Sequence, residues 1–176
     1  MLNQFIEALK FSAEKHTKQR RKDTDASPYI NHPISLVDVL VNEGGVMNWD
    51  VLCAALLHDT IEDTETSKEE LLDKFGASIT AIVLEVTDDK SLPKQERKLK
   101  QIEHAAHSSY EAKLVKLADK ICNLRDILSS PPSNWDQKRK QEYFAWAANV
   151  VSGIRGTNSK LEEIFDDLIS KGGVIA

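Results

Sequence analysis

The side chains best suited to chemistry stand directly after the most apolar stretch of the chain. Residues 51–57 carry no charge; His58 and Asp59 follow at once, and Glu62 and Asp63 lie within the next helical turn. A run without helix breakers that is apolar on every side is typical of a helix buried in a domain. Because buried polar groups are costly unless they are paired or bound to a metal, this cluster indicates a cation site. The alternative is an ordinary helix C-terminus, where a histidine interacts with the dipole and acids cap the next turn.

A second candidate set lies on a long predicted helix over residues 109–130. Its apolar side chains recur at steps of three and four and form a core stripe: Leu114, Leu117, Ile121, Leu124 and Leu128. Lys116, Asp119 and Asn123 recur at the same steps on another face, so a cation, a carboxylate and an amide stand in a row. The alternative is a solvated face, since Lys-Asp pairs three residues apart are common on helix surfaces.

A third candidate, His32, stands at a predicted junction between a loop and a helix, where the following Pro33 restricts its backbone. A histidine there can also serve only as a hydrogen-bonding group at the helix start. With the two sets above, however, it completes two imidazoles and two carboxylates from separate helices: His32, His58, Asp59 and Asp119. Such nitrogen and oxygen ligands without a thiolate suit manganese, iron or zinc and leave room for water. Glu62 and Asp63 are then additional carboxylates, suited to orienting or deprotonating an attacking water.

The elements that must position these residues are all predicted to be helices. Apolar spacing and breaker residues place them at about 5–16, 33–43, 49–57, 67–75, 79–86, 109–130, 136–153 and 157–170. Pro33 is expected to open the second helix, and Gly44 and Gly76 to end the second and fourth. No alternating apolar pattern is long enough to demand a sheet. We therefore predict one all-α domain, 1–176, of about eight to ten helices around the metal site.

Composition narrows the function classes. The chain has 176 residues, 41% hydrophobic and 29% charged, as is usual for a soluble globular domain. A formal charge of −5 argues against nucleic-acid binding, which usually leaves a basic footprint. Cys53 and Cys122 both stand in apolar helical context, which predicts buried free thiols in a reducing compartment. No signal peptide or membrane span is evident, so a cytoplasmic protein without a membrane partner is expected.

The order His, His-Asp, Asp resembles that of the HD metal-dependent phosphohydrolases. Longer strings are similar to the hydrolase domain of RelA/SpoT proteins, namely those at 20–23, 28–33, 55–64 and 113–125. The segment Glu-Val-Thr-Asp-Asp-Lys-Ser-Leu-Pro-Lys-Gln-Glu-Arg-Lys (85–98) and the segment Glu-Tyr-Phe-Ala-Trp-Ala (142–147) resemble the stand-alone small alarmone hydrolases, of the type found as the metazoan SpoT homologue. The similarity runs from about residue 5 to residue 170 and implies a hydrolase without a synthetase domain.

This resemblance implies the all-α HD-domain phosphohydrolase fold around a buried metal site, a metal cofactor and a reaction. His32, His58, Asp59 and Asp119 match the ligands of a single Mn²⁺ ion, and Glu62 and Asp63 match the acidic pair that activates water. The implied substrate is the small molecule guanosine 3′,5′-bis(diphosphate), ppGpp, or its 5′-triphosphate analogue pppGpp. Hydrolysis at the 3′ position would give GDP or GTP and pyrophosphate. Arg21, Lys22 and Asn123 match residues around the nucleotide, and Lys94, Arg97, Arg139 and Tyr143 are further expected contacts to its phosphates or purine.

The sequence leaves two other functions possible, and it does not define the role of one group of aromatic residues. The same site could remove another phosphate from a ribose hydroxyl, for example the 2′-phosphate of NADPH. A non-catalytic nucleotide sensor could retain the pocket, although the intact Glu62 and Asp63 argue against it. Trp135, Phe144 and Trp146 could face a partner subunit or simply pack in the core. An oligomer is therefore possible but not required.

Overall fold

The computed structural model describes residues 1–173, which form α-helices and one π-helical segment with no β-strand among them. The helices are α1 (Leu2–Lys15), α2 (Asn31–Asp38), α3 (Trp49–Leu57), α4 (Thr60–Asp63), α5 (Lys68–Val86), α6 (Lys94–Ala105), α7 (Tyr110–Ser129), α8 (Gln137–Ser152) and α9 (Ser159–Gly173). The π-helical segment, Val39–Glu43, continues α2. The prediction of an all-α fold is confirmed.

Helix α3 is the centre of the core. Every residue from Val51 to Leu57 is buried, and α1, α2, α5 and α7 pack around it. Phe5 of α1 contacts Trp49 edge to face, with ring centroids 5.8 Å apart. Because α3 is enclosed by helices on all sides, its C-terminal end delivers His58 and Asp59 to the interior of the domain rather than to its surface.

Helix α2 begins two residues earlier than expected. Pro33 was predicted to open it, but Asn31 is the first helical residue, so His32 lies within the first turn and not in the loop. The proline is tolerated there because the first-turn N–H groups have no partner inside the helix. The π-helical segment that continues α2 ends at Gly44, where the predicted helix was expected to end. A Cβ on Gly44 would lie 2.9 Å from the carbonyl oxygen of Leu40 and 3.0 Å from the Leu161 side chain.

Helix α5 contains the break that was predicted at Gly76. Ser67 caps its start, accepting a hydrogen bond from the Glu70 amide at 3.1 Å. Gly76 has a φ of 81°, which a residue with a side chain rarely adopts, and the two halves of α5 meet there at a kink. The second half ends at Val86, and the loop 87–93 that follows lies against α4.

Helices α6, α7 and α8 form the other side of the site. The basic segment 94–100 begins α6, which packs against α8, while α7 packs against α2, α3, α5 and α9. Phe144 is buried, and Trp135 and Trp146 are partly buried and pack against the core. Cys53 and Cys122 are buried and free, as predicted. Within the described chain, no helix combines the length and the apolar character that a membrane crossing requires.

Candidate metal centre and adjoining cleft

The His-Asp pair occupies the junction between two helices. His58 is the C-cap residue of α3 and still has helical backbone angles, with φ −55° and ψ −34°. Asp59 leaves the helical region, with φ −102° and ψ 2°, and α4 starts directly after it. This sparsely populated backbone region is one in which active-site residues are often found. The change of direction between α3 and α4 brings the Asp59 carboxylate beside the His58 ring.

Three of the four predicted ligands meet at this junction. One potential ligand atom from each of His32, His58 and Asp59 lies within 4.8 Å of the others. The two imidazole rings are 5.3 Å apart between centroids. His58 Nε2 lies 3.0 Å from Asp59 Oδ2. Helices α2 and α3 therefore present two nitrogens and a carboxylate to one point.

Asp119 of α7 joins the cluster through His32. Its Oδ1 lies 3.2 Å from His32 Nε2 and also accepts a hydrogen bond from Asn123 Nδ2 at 2.6 Å. Its Oδ2 accepts a hydrogen bond from Lys120 Nζ at 3.1 Å. The face of α7 that carries Lys116, Asp119 and Asn123 thus points toward the cluster, and the alternative of a solvated face is wrong.

The donor set fits a divalent cation. Because a carbonyl oxygen only accepts hydrogen bonds, His58 Nδ1 must donate to Ala55 O at 2.8 Å, which leaves Nε2 as the ring nitrogen free to coordinate. Both His58 Nε2 and His32 Nδ1 are buried and form no hydrogen bond of good geometry, although His58 Nε2 lies 3.0 Å from Asp59 Oδ2. Burial lowers the pKa of His58, but the neighbouring Asp59 carboxylate outweighs it and raises the pKa to about 9. The site therefore favours a positive charge at this point, which a metal ion would supply.

Glu62 lies on α4 between the cluster and the loop 87–93. Its Oε2 accepts a hydrogen bond from the Asp88 amide at 3.2 Å, and Arg97 Nη1 lies 3.6 Å from Oε1. Burial, together with the negative charges of Asp59 and Asp88, raises the pKa of Glu62 to about 7. A carboxyl group with such a pKa can gain or lose a proton near neutral pH, as a general acid or base must.

Asp63 is held apart from Glu62 by two donors. Gln19 Nε2 donates to its Oδ2 at 2.8 Å, and Lys90 of the loop 87–93 forms an ion pair with its Oδ1. Asp63 lines a neighbouring pocket with Arg21 and Lys22 and does not line the cavity of the metal cluster. The structure therefore places the two predicted catalytic acids at adjoining positions with different partners.

A cavity of about 160 Å³ contains most of the predicted site residues. Of the residues singled out from the sequence, its walls include Arg21, His32, His58, Asp59, Glu62, Lys116, Asp119 and Asn123. Arg21 reaches it from the loop after α1, where its Nη2 donates to Asn123 Oδ1 at 3.2 Å and pairs with Asp126. Asp88 and Gln101 also line this cavity, and both line the adjoining cleft as well.

The adjoining cleft, of about 560 Å³, contains four more of the predicted contacts. Lys94, Arg97, Arg139 and Tyr143 line it together with Trp135 and Trp146. Partial burial lowers the pKa of Lys94, and the positive charges of Arg139, Lys22 and Arg97 lower it further. This cleft therefore concentrates positive charge in a protein of negative net charge. Binding of a polyphosphate requires such a local positive charge. Lys22 is exposed near the rim of this group.

Several residues of the site were not assigned from the sequence. Tyr29 donates a hydrogen bond from its hydroxyl to Asp59 Oδ2, and burial, with Asp59 beside it, raises its pKa. Gln19 and Lys90 contact Asp63, and Asp88 contacts Glu62. Tyr29, Asp88, Lys90 and Lys120 lie in stretches singled out from the sequence (28–33, 85–98 and 113–125), but their contacts in the fold could not be read from spacing. The fifth, Lys120, directly follows Asp119 beside the core stripe of α7, which was a signal for a buried charge.

Comparisons with known proteins agree with this geometry. A family model described as an HD domain matches residues 8–149. The guanosine-3′,5′-bis(diphosphate) 3′-pyrophosphohydrolases MESH1 of Danio rerio and Homo sapiens are both 54% identical to the chain, over 169 and 171 residues. Those alignments cover 96% and 97% of this chain and 94% and 96% of the relatives. A solved structure described as a metazoan ortholog of SpoT that hydrolyzes ppGpp superposes with a TM-score of 0.94 at 49% identity, covering 98% of this chain and 97% of that one.

Proposed function

Because the chain belongs to the HD domain family, we propose that it is a metal-dependent hydrolase that removes the 3′-diphosphate of ppGpp or pppGpp. The products would be pyrophosphate and GDP or GTP. The observation that carries this proposal is the junction of the metal cluster with a cationic, aromatic cleft. Asp88, Arg97 and Gln101 border that cleft, and both Asp88 and Gln101 also border the metal cavity. One nucleotide can therefore place a phosphate at the cluster and its remaining groups in the cleft.

In this proposal His32, His58, Asp59 and Asp119 hold one ion, and Mn²⁺ suits their two nitrogens and two carboxylates. The ion would supply a nucleophile at neutral pH by lowering the pKa of water, and would offset charge on the phosphoryl oxygens. Two buried ring nitrogens, His58 Nε2 and His32 Nδ1, form no hydrogen bond of good geometry, which supports the assignment of the histidines. Tyr29 would orient Asp59, because its hydroxyl holds the Oδ2 atom.

Glu62 and Asp63 would manage the water and its protons. Glu62 is fixed by the Asp88 amide and would hold the water in line with the phosphorus attached to the 3′ oxygen. Asp63 would take a proton from that water. The new bond joins the water oxygen to this phosphorus, and the bond from phosphorus to the ribose 3′ oxygen breaks. The 3′ oxygen leaves with a proton as the nucleoside hydroxyl.

The cations and aromatic rings of the cleft would hold the rest of the nucleotide. Arg21 and Asn123 lie at the metal cavity and would contact the ribose or the 3′-diphosphate. Lys22, Lys94, Arg97 and Arg139 would bind the 5′ phosphates through charge-assisted hydrogen bonds. The rings of Trp135, Tyr143 and Trp146 would offer an aromatic wall for the purine; successive centroids lie 5.6 and 5.2 Å apart, the first pair tilted and the second edge to face.

A substrate panel tests this proposal. The metal-free protein is reconstituted with Mn²⁺ and supplied in parallel with ppGpp, pppGpp and NADPH, with released phosphate and pyrophosphate measured separately. We expect pyrophosphate from the first two substrates and loss of that activity in EDTA. If phosphate is released from NADPH and neither guanosine substrate is hydrolysed, the proposed substrate would be replaced by a 2′-phosphorylated nucleotide. Binding of ppGpp without any turnover would instead support a nucleotide sensor.

A further inference from the structure

Lys120 is a buried cation to which the proposed function gives no role. Its side chain is 3% exposed, and it directly follows Asp119 on α7. Its Nζ donates to Asp119 Oδ2 at 3.1 Å. On α8, the Trp146 ring faces the same ammonium, with the ring centroid 4.3 Å from Nζ. Asp119 and Trp146 are therefore the neighbours that hold this charge inside the fold.

A buried ammonium is costly, so its contacts must compensate for the lost water. The Lys120 ammonium has two such contacts, the Asp119 carboxylate at 3.1 Å and the Trp146 ring at 4.3 Å. The face of an indole ring adds attraction, which is larger for a desolvated cation. An apolar residue would avoid this cost altogether. We therefore attribute the retention of this charge to its interaction with Asp119 rather than to the stability of α7.

The contact fixes the orientation of the Asp119 carboxylate. Lys120 occupies Oδ2, while Oδ1 lies beside His32 and accepts the hydrogen bond from Asn123. With one oxygen held on each side, the carboxylate plane cannot turn freely. Oδ1 is the oxygen on the side of the other predicted ligands.

We propose that Lys120 is a positioning residue that fixes Asp119 as a one-oxygen ligand of the metal ion. The proposal rests on the metal site of the proposed function. Outer partners of metal ligands commonly contribute about 10-fold to 100-fold to metal affinity because they orient the ligand. Asn123 alone cannot do this, since it bonds to the same oxygen that faces His32.

Trp146 extends this positioning to the wall of the cleft. Its Nε1 donates to the carbonyl oxygen of Lys98 on α6 at 3.1 Å, and the ring lines the cleft. The ring is thus anchored between α6 and α8 while it supports the Lys120 ammonium from α7. The orientation of Asp119 consequently depends on the packing of α8 as well as on its own helix.

The test compares Mn²⁺ affinities, measured from the electron paramagnetic resonance signal of free Mn²⁺ in equilibrium with each protein. We expect Lys120→Met to weaken binding about 10-fold to 100-fold and Lys120→Arg to recover most of the loss. Lys113→Met is the matched control: it removes another lysine of α7 whose Nζ bonds only to the Ala106 carbonyl, and it should bind like the wild type. Unchanged affinity in Lys120→Met would overturn the proposal.

A second variant, Trp146→Leu, and the spectrum of the Co²⁺-loaded protein test the proposal even if Lys120→Met does not fold. Trp146→Leu leaves Lys120 in place but removes its ring contact, and we expect Mn²⁺ binding to weaken at least about threefold, as the loss of one cation–π contact implies. If Lys120→Met does not fold by circular dichroism, unchanged affinity in Trp146→Leu overturns the proposal. The visible spectrum of the Co²⁺-loaded protein should change in Lys120→Met and return in Lys120→Arg. A wild-type protein that binds no Mn²⁺ would contradict the proposed function itself.

Discussion

Lys90 and Asp63 form an ion pair that joins the loop 87–93 to the acidic edge of the metal site. Two residues earlier in the same loop, the Asp88 amide donates to Glu62. One short loop thus contacts both acids to which we assign the handling of water. We therefore expect the position of this loop to influence the orientation of Glu62 and Asp63.

Replacing Asp63 tests its role in proton transfer. We expect Asp63→Ala to fold and bind Mn²⁺ normally, since Asp63 is not among the predicted ligands, but to lose at least about 100-fold in kcat with ppGpp. Steady-state kinetics with saturating Mn²⁺ measure this. Near-normal turnover in this variant would remove Asp63 from the mechanism.

Removing the lysine of the ion pair tests whether the loop positions Asp63. Lys90→Met should lower kcat by about twofold to fivefold, a small factor because the Lys90 side chain is half exposed and such pairs are weak. Binding of Mn²⁺ should be unaffected. Lys68→Met, which removes an exposed lysine at the start of α5, is the control and should leave kcat unchanged. Equal kcat values for both variants would show that the pair has no role in turnover.

The hydroxyl of Tyr29 offers a test of ligand orientation from the other side of the cluster. Tyr29→Phe removes the donor to Asp59 Oδ2 and keeps the ring that packs against His16, with centroids 4.6 Å apart. We expect about a 10-fold loss of Mn²⁺ affinity with little change in the midpoint of thermal unfolding in EDTA. A variant that unfolds at much lower temperature would assign the tyrosine to the core instead.

The raised pKa of Glu62 predicts how the metal-free protein responds to pH. Its pKa of about 7 in the fold lies above the value of 4.5 for an exposed glutamate, so the protonated form is favoured by folding. Its stabilising effect is full below about pH 4.5 and is lost as the pH rises through about 7. Glu62→Gln should therefore gain stability relative to the wild type between pH 5 and pH 8, by roughly 1–2 kcal/mol once partial exposure is allowed for. Urea titrations in EDTA measure the difference, and a constant difference across this range would contradict the assignment.

Local patterns were sufficient to predict most of the helices. No helix was predicted for α4 or α6, because α4 is a single turn and the segment 94–105 is mostly charged and polar, with only Leu99, Ile102 and Ala105 as apolar residues. The break at Gly76 follows from a rule that involves only neighbouring residues, and it is present. The start of α2 was placed two residues too late, because Pro33 is equally acceptable inside the first turn. The π-helical segment Val39–Glu43 has no local signal; the close approach of Leu161 to Gly44 shows that packing from α9 shapes this end.

The site was predictable where its residues share a helix and less so where they do not. His58 and Asp59 follow one buried run, and Asp119 stands on the same helix face as Asn123, so periodicity was sufficient to group them. The partners of these groups come from distant segments: Tyr29 from the loop before α2 and Lys90 from the loop after α5. Such contacts depend on how the helices pack, which a single sequence does not specify. The family resemblance, rather than spacing, united the four predicted ligands with a substrate.

The most direct test of the account is hydrolysis of ppGpp by the Mn²⁺-loaded protein in water enriched in ¹⁸O, with both products analysed by mass spectrometry. If water attacks the phosphorus attached to the 3′ oxygen, one ¹⁸O atom appears in pyrophosphate and none in GDP. Label in the 3′ hydroxyl of GDP would show attack at the ribose carbon. Either that result or the absence of turnover with bound metal would contradict the proposed mechanism.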